Sequence, residues 1–259
     1  MDASEPKGEY VVETSGEYDF TELYGRQEGG YGEVPSPVLG AFLEHIKSNT
    51  VEGKLAYDLG AGAGRETLAM ARSGFRVVSV DASSTGLERL SRRASEAGLS
   101  DRVQTHYADV RKVQLPSGEV ELLAATTILD HIPTEDARRL WNDICNSLTP
   151  SGVIYIEVHT TDDPGHNDAP EVYRSAPASE SADAVVNYFR PNELASWACD
   201  PDSGLRILHY EEYIEWDETH GPDHLHGKAI LLAERYQARN SWFGQNRVAV
   251  PPKGILPES

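Results

Sequence analysis

Cysteine is scarce in this chain of 259 residues, and long apolar runs are missing. Cys145 and Cys199 are too few for a disulfide framework, which is typical of a reducing compartment. No apolar run approaches the roughly 20 residues that cross a bilayer. The first ten residues, MDASEPKGEY, are acidic and lack the apolar segment of a secretion signal. These absences predict a cytoplasmic protein with no membrane span.

Positive charge is also in short supply. The chain has 23 Lys and Arg against 42 Asp and Glu, a formal net charge of −19. Such a field opposes binding to phosphate backbones and to anionic lipid surfaces. The densest basic run, Arg89 with Arg92 and Arg93, has the spacing of a solvated helix face. We therefore expect no nucleic-acid partner and no membrane partner, and nothing in the sequence indicates an oligomeric state.

Composition divides the chain into a long central domain and two flanking segments. Residues 1–17 are acidic with little to bury, which predicts a flexible leader. Residues 18–53 predict an N-terminal helical lid segment, with a helix that begins near Pro37. The main domain is expected over 54–236, and residues 237–259 form a proline-containing tail without periodicity.

Within the main domain, short apolar runs alternate with helical patterns from residue 54 to about residue 160. This alternation is typical of parallel strands joined by helices. Two further apolar runs near the end, LRILHYEEYIEW and KAILLAERY, predict an antiparallel hairpin. The fold class is therefore α/β: a three-layer, Rossmann-like sheet of about seven strands, mostly parallel, with an antiparallel closing hairpin. The long aperiodic stretch 160–184 is expected to be a mobile lid loop.

The strongest chemical signal is the sequence DLGAGAG, which ends the first predicted strand and opens the first helix of the alternation. Glycines let a backbone turn tightly and approach a ligand, and the helix N-terminus offers free N–H groups. A dinucleotide fingerprint needs glycine at the sixth position of G-x-G-x-x-G, where this chain has Arg65. An NAD-dependent dehydrogenase is therefore the weaker alternative.

The pattern D-x-G-x-G-x-G after the first strand resembles motif I of the class I S-adenosylmethionine-dependent methyltransferases. The family's second marker, an acid that ends the second strand, matches Asp81, and its third matches Asp109. The resemblance implies that Asp81 accepts from both ribose hydroxyls and that Asp109 accepts from the adenine amino group. Tyr24 and Arg26 lie in a segment that covers the cofactor in look-alike enzymes, and Arg26 or Arg65 could pair with the methionine carboxylate. The expected cofactor-binding residues are Asp58, Gly60, Ala61, Gly62, Gly64, Arg65, Asp81, Ala82, Asp109, Val110, Thr126, Tyr24 and Arg26.

Within that superfamily, the chain resembles the tellurite-resistance methyltransferase group and its small-molecule relatives over residues 18–236. The resemblance extends to His220, where that group has a His-Arg pair near the reacting centre. Here His220 is followed by Gly221, so the inorganic substrate of that group is not carried over.

Ligands of open α/β sheets bind beyond the carboxyl ends of the strands. This rule selects Asp130 and His131 after the fourth strand and His159 after the fifth as possible proton acceptors, with His220 favoured slightly by the family resemblance. Asp130 and His131 are equally compatible with an ordinary surface turn. Two polar clusters, one from His159 to His166 and one from Asp217 to His226, match no closed zinc framework, so no metal is expected.

The leading hypothesis is a methyltransferase that transfers the methyl group of S-adenosylmethionine to a small molecule, with secondary metabolism as the suggested setting. Two alternatives keep the cofactor. In one, S-adenosylmethionine is itself the substrate of an intramolecular alkylation or elimination that releases methylthioadenosine. In the other, the protein binds the cofactor without turnover. The identity of the acceptor is beyond the sequence, because this fold supports many acceptors.

Overall fold

A computed structural model describes residues 32, 34–46, 48–218 and 221–236. The leader 1–17, the tail 237–259 and most of the segment before Pro37 lie outside the described residues, so the expectations for them stay predictions. None of the described helices combines the length and hydropathy that crossing a lipid bilayer requires.

Seven strands and the helices between them follow the predicted alternation. The strands are β1 (Leu55–Leu59), β2 (Arg76–Asp81), β3 (Val103–Tyr107), β4 (Val120–Thr126), β5 (Leu148–His159), β6 (Leu205–Asp217) and β7 (His224–Arg235). The longer helices are α1 (Pro37–His45), α2 (Arg65–Arg72), α3 (Ser84–Glu96), α4 (Thr134–Ser147) and α5 (Glu193–Cys199). Short helical turns are found at Ser48–Val51, Ser100–Arg102, Val110–Lys112, Glu171–Arg174, Ala182–Ala184 and Pro201–Ser203.

The strands form one sheet in the order β3-β2-β1-β4-β5-β7-β6. The first five are parallel, whereas β7 runs antiparallel to both β5 and β6. The predicted fold class, a Rossmann-like sheet closed by an antiparallel hairpin, is therefore confirmed. The chain order reverses between β1 and β4, and at such a switch point the loops diverge and leave a crevice for ligands.

Strand β5 shows how the sheet divides the core. Its alternate residues Ile154, Ile156 and Val158 pack with α4 and α5, while Val153 and Tyr155 pack with α1 and β7 on the opposite side. This two-sided burial explains why the strand sequence is almost continuously apolar. The side of Val153 and Tyr155 continues into Glu157 and His159, so one face of the sheet changes from apolar to polar as it reaches the carboxyl edge.

The element boundaries differ from the predicted ones at the start of β5. Residue types typical of turns, at Pro150, Ser151 and Gly152, predict a turn before the strand, but these residues lie within β5. The turn is present as an irregularity, since β4 pairs with Leu148 and next with Val153. The final strand, β7, begins at His224, four residues earlier than its apolar pattern indicates, because the polar residues His224 to Gly227 continue the ladder with β6.

Candidate active site

The glycine loop lies between β1 and α2, at the switch point of the sheet. Gly60, Gly62 and Gly64 have φ of 74°, 49° and 86°, in the left-handed region that side chains rarely adopt. A Cβ at Gly60 would lie 2.2 Å from Cδ1 of Ile128, so that position also lacks space for one. The backbone of the loop can therefore approach a ligand closely, as the motif predicts.

Asp58 links the end of β1 to helix α2. It is 2 % exposed, and its Oδ2 accepts a hydrogen bond of 2.6 Å from Oγ1 of Thr67, in α2. Burial, with the charge of Glu66 nearby, raises the pKa of Asp58 to about 7. Because the buried carboxyl group accepts this bond from Thr67, Asp58 holds α2 against β1. A direct contact of Asp58 with the cofactor stays a prediction.

Asp81 and Asp109 end their strands as predicted, but their partners differ. Asp81 accepts N–H bonds of 2.7 Å from both Gly62 and Ser83, one on each carboxylate oxygen, so it holds the glycine loop against β2. Asp109 forms a two-pronged ion pair with Arg111, whose Nη2 lies 2.5 Å from Oδ2. The Asp81 carboxylate oxygens retain lone pairs for ribose hydroxyls, whereas Arg111 already occupies the Asp109 carboxylate.

An open cleft of about 670 Å³ extends from the glycine loop across the carboxyl edge of the sheet. This volume includes the space that is open to solvent at the mouth of the cleft. Among the expected site residues, the lining includes Gly60, Ala61, Gly64, Arg65, Thr126 and His159. It also includes residues from α2, α3, β5, the closing hairpin and the neighbouring loops: Glu66, Arg93, Thr127, Glu157, Ser181, Asp217, His226 and Lys228.

Two observations fit S-adenosylmethionine at the loop end of this cleft, the part lined by Gly60 to Gly64. The loop turns on three left-handed glycines, a conformation that other residues rarely adopt. Thr126 also has a buried Oγ1 for which the described residues provide no hydrogen-bond partner. Such an atom is costly unless a ligand or water satisfies it. Arg65 remains cationic here, since Glu66 and Glu157 raise its pKa even though burial opposes the charge.

Asp130 and His159 form a buried pair across β4 and β5. The Asp130 Oδ2 lies 2.5 Å from Nδ1 of His159 and 3.0 Å from its backbone nitrogen. Burial disfavours the imidazolium, but the hydrogen bond and charge of Asp130 raise the pKa of His159. A carboxylate on Nδ1 fixes the ring in the tautomer whose Nε2 can accept a proton. His131 takes a different orientation, with Nδ1 2.9 Å from the carbonyl of Ala184, and burial lowers its pKa.

A second buried pair, Glu157 with Lys228, lies beside His159. The Lys228 Nζ is 3.2 Å from Glu157 and 2.8 Å from Glu215, and only 12 % of its side chain is exposed. Burial opposes the charge of Lys228, yet the two carboxylates raise its pKa. Neither residue was predicted from the sequence. A usable signal was present, since the apolar run GVIYIEVHT contains a single glutamate and a buried charge requires a partner.

The closing hairpin places His224 and His226 on the same face as His159. The ring centroids of His159 and His226 are 4.9 Å apart, and Nδ1 of His226 is 3.2 Å from Oδ2 of Asp163. Burial lowers the pKa of His226 to about 4. Asp217 pairs with His224 in the register of β6 and β7, and its Oδ2 is 3.9 Å from Nε2 of His226. The two polar clusters that are separate in the sequence are therefore one cluster in the fold.

The segment 160–184 makes more contacts than its composition predicts. Asp163 is 1 % exposed and accepts N–H bonds from Gly165 and Gly227, and Ser181 is buried at the cleft. Val172, one of the few apolar side chains of the segment, is 70 % exposed. Buried polar groups therefore attach this segment to β7, and its movement on ligand binding stays a prediction.

The other expected residues are placed as follows. Tyr24, Arg26 and His220 lie outside the described residues, so their roles stay predictions. Gly62, Ala82 and Val110 lie in or beside the loops that end β1, β2 and β3. They are not among the residues that line the cleft, and neither are Asp58, Asp81, Asp109, Asp130 and His131. Thr127, next to Thr126, has φ of 50°, a conformation that is costly for a threonine and is common near functional sites.

Comparisons with known proteins agree with this arrangement. A family model described as "Methyltransferase domain" matches residues 56–152. A carboxy-S-adenosyl-L-methionine synthase of Erwinia tasmaniensis is 28 % identical over 141 residues, which cover 53 % of this chain and 55 % of that protein. A sterol 24-C-methyltransferase of Aspergillus fumigatus is 25 % identical over 165 residues, 63 % of this chain and 43 % of that protein. The chain thus spans about half the length of these two relatives.

Among solved structures, the TehB protein of Haemophilus influenzae superposes with a TM-score of 0.55 at 18 % identity, over 73 % of this chain and 59 % of that one. This likeness concerns the fold alone. The matched methyltransferase domain, residues 56–152, contains both the glycine loop at the switch point and the acid at the end of β2.

Proposed function

We propose that this protein transfers the methyl group of S-adenosylmethionine to a small-molecule acceptor bound beside the Asp130–His159 pair. The observation that carries the proposal is that one cleft joins the glycine loop to His159. The sulfonium supplies an electrophilic methyl group. What this chain contributes is binding, orientation and proton transfer, which supply most of the rate in such displacements.

The acceptor end of the cleft, the part lined by His159, Asp217, His226 and Lys228, indicates where the proton of the acceptor would go. With Nδ1 held by Asp130, the Nε2 of His159 is the nitrogen that can take a proton from a hydroxyl, amine or thiol. As the acceptor atom bonds to the methyl carbon, the carbon–sulfur bond breaks and S-adenosylhomocysteine leaves. Asp130 is a positioning residue in this scheme, because it acts through His159. His220, predicted for the same task, remains a second candidate.

The charges of the acceptor end favour a neutral or cationic acceptor. Glu157, Asp163 and Asp217 surround His159 and His226, while Lys228 is held by two carboxylates. A free carboxylate on the acceptor would be repelled there. The sterol methyltransferase among the relatives acts on a small molecule, the class of acceptor proposed for this chain.

A second candidate function is that S-adenosylmethionine is itself the molecule that is modified. The relative named carboxy-S-adenosyl-L-methionine synthase favours it. The acidic acceptor end argues against it for a product that gains a carboxylate. A protein that binds the cofactor without turnover is the third possibility.

Product analysis separates these functions. The purified protein is incubated with S-adenosylmethionine and a panel of small hydroxyl, amine and thiol compounds, and the nucleoside products are quantified by mass spectrometry. S-adenosylhomocysteine with an acceptor of increased mass is the expected result. Methylthioadenosine, a carboxylated S-adenosylmethionine, or binding with neither product each overturns the proposal.

A set of variants tests the proton path. His159→Asn should lower turnover by about 10²- to 10⁴-fold, with S-adenosylmethionine affinity nearly unchanged, because the glycine loop and Asp81 provide that affinity. His106→Asn is the matched control, since His106 lies exposed on β3 at the opposite edge of the sheet. Turnover within a few fold of the unmodified protein in both variants would remove His159 from the mechanism and leave His220→Ala as the next variant to measure.

A further inference from the structure

The strands β6 and β7 bring together two imidazoles and a carboxylate that the proton path does not use. His224, His226 and Asp217 each offer one ligand atom, and these three atoms all lie within 4.8 Å of one another. All three residues are less than 9 % exposed. The set is created by register: His224 and His226 are two apart on one strand and so share a face, and Asp217 is the cross-strand partner of His224.

The ring nitrogens of the two histidines have assigned roles. Nδ1 of His224 is 2.7 Å from the carbonyl oxygen of Pro222, and Nδ1 of His226 is 3.2 Å from Oδ2 of Asp163. Because both oxygens only accept hydrogen bonds, each Nδ1 carries the proton. In the neutral rings, each Nε2 therefore carries a lone pair.

These two Nε2 atoms face each other at 2.9 Å. A distance of 2.9 Å is also that of an N–H···N hydrogen bond, in which one of the two rings carries a second proton. Two nitrogens bound at a right angle to one ion, each at about 2.1 Å, are about 3.0 Å apart. The observed spacing therefore fits two adjacent ligands of a metal ion as well as a shared proton.

The partners of the two Nδ1 atoms are of the kind found around metal-binding histidines. Metal-binding histidines usually donate their second ring N–H to a carboxylate or a backbone carbonyl, which fixes the ring and its tautomer. Asp163 and the Pro222 carbonyl do this for the two rings. Asp163 is itself fixed by N–H bonds from Gly165 and Gly227.

We infer that His224, His226 and Asp217 bind one divalent transition-metal ion. Two imidazoles and one carboxylate on one side of an ion suit Fe²⁺, Mn²⁺, Co²⁺ or Zn²⁺ and leave further coordination positions open. Asp217 and His226 line the cleft, so an open position faces the acceptor. This step rests on the proposed function: the ion offsets the carboxylates at this end of the cleft, and the acceptor is an uncharged molecule with an oxygen, such as a hydroxyl, that can bind the ion. No metal was predicted from the sequence because the spacing of these residues matches no closed zinc framework, whereas here the third ligand comes from the neighbouring strand.

Metal uptake tests the inference without any activity measurement. The full chain, with any histidine tag removed, is stripped with a chelator and titrated with Co²⁺, followed by calorimetry and by visible absorption. One equivalent of Co²⁺ should bind, and His224→Asn and Asp217→Asn should each weaken binding by about tenfold to a hundredfold or more. His106→Asn, on the exposed edge strand, should bind like the unmodified protein.

The outcomes are separated from folding and from the proposed function. Circular dichroism and thermal unfolding identify any variant that loses its structure, and Asp217→Asn keeps the size of the side chain at the end of β6. The inference is overturned if the stripped protein takes up no Co²⁺, Zn²⁺, Mn²⁺ or anaerobic Fe²⁺ up to about 1 mM. It is also overturned if His224→Asn and Asp217→Asn bind Co²⁺ as tightly as the control His106→Asn does. S-adenosylmethionine affinity of the stripped protein is measured in parallel: if it persists without metal uptake, only this inference fails, and if it is absent while metal binds, only the proposed function fails.

Discussion

Replacing Asp81 with alanine should separate the two tasks assigned to its carboxylate. In the structure, each carboxylate oxygen accepts a backbone N–H at 2.7 Å, one from Gly62 and one from Ser83. The same oxygens are expected to accept from the ribose hydroxyls of S-adenosylmethionine. A hydrogen bond to a charged group contributes about 1.5–3 kcal/mol, so loss of one ribose bond should raise Kd about 10- to 150-fold.

Calorimetry with two ligands distinguishes ribose recognition from loop support. S-adenosylhomocysteine and its 2′-deoxy analogue are titrated into the unmodified protein and into Asp81→Ala. Ribose recognition predicts that the unmodified protein discriminates between the ligands and that the variant does not, which is the coupling of a double-mutant cycle. Loop support alone predicts that both ligands weaken equally in the variant.

The matched control is Asp101→Ala, which removes the same charge from an exposed turn before β3. It should leave both affinities unchanged. If Asp81→Ala binds S-adenosylhomocysteine as tightly as the unmodified protein does, the assignment of Asp81 to the cofactor is refuted. Equal affinity of the unmodified protein for both ligands would refute the role in ribose binding and leave only the support of the loop.

Three further predictions concern stability. Gly227→Ala should destabilise the fold by about 1–3 kcal/mol, because its Cβ would lie 2.4 Å from the backbone nitrogen of Asp163; an unchanged urea midpoint would contradict this packing. Lys228→Met should cost up to about 3 kcal/mol, because Glu157 loses its ion-pair partner and keeps only the charge of Arg65 nearby, and the double variant with Glu157→Leu should recover part of the loss in thermal unfolding. The pKa of Asp58 is about 7 in the folded chain and about 4 when unfolded, so the folded state binds the extra proton between these values and stability falls as pH rises through that window, by about 4 kcal/mol at most. Asp58→Asn should remove this part of the decrease between pH 4 and pH 7, and an identical pH profile for both proteins would refute the raised pKa.

The fold and the cofactor half of the site could be predicted because their signals are local. The alternation of strands and helices depends on periodicity within short windows, and the glycine loop depends on φ values that only glycine adopts easily. Asp81 follows from its position at the end of a strand. The boundaries of β5 and β7 were less well predicted, since pairing with neighbouring strands extends both beyond their apolar cores.

The acceptor half depended on long-range pairing. Asp130 was expected beside His131, its neighbour in the chain, but it pairs with His159 because β4 and β5 lie side by side in the sheet. Composition alone predicted a loosely held segment around Asp163, which instead contacts Gly227 and His226 on β7.

The sequence by itself therefore determined the architecture, the glycine loop at its switch point and the chemical types of the residues near that loop. Only the tertiary structure decided which of those residues meet. The register of β6 and β7 sets Asp217 opposite His224, and β5 beside β7 brings His159 to His226. The physical reason is that a shift of one residue between strands would send these side chains to the opposite face, and residue spacing along a single strand does not specify that register.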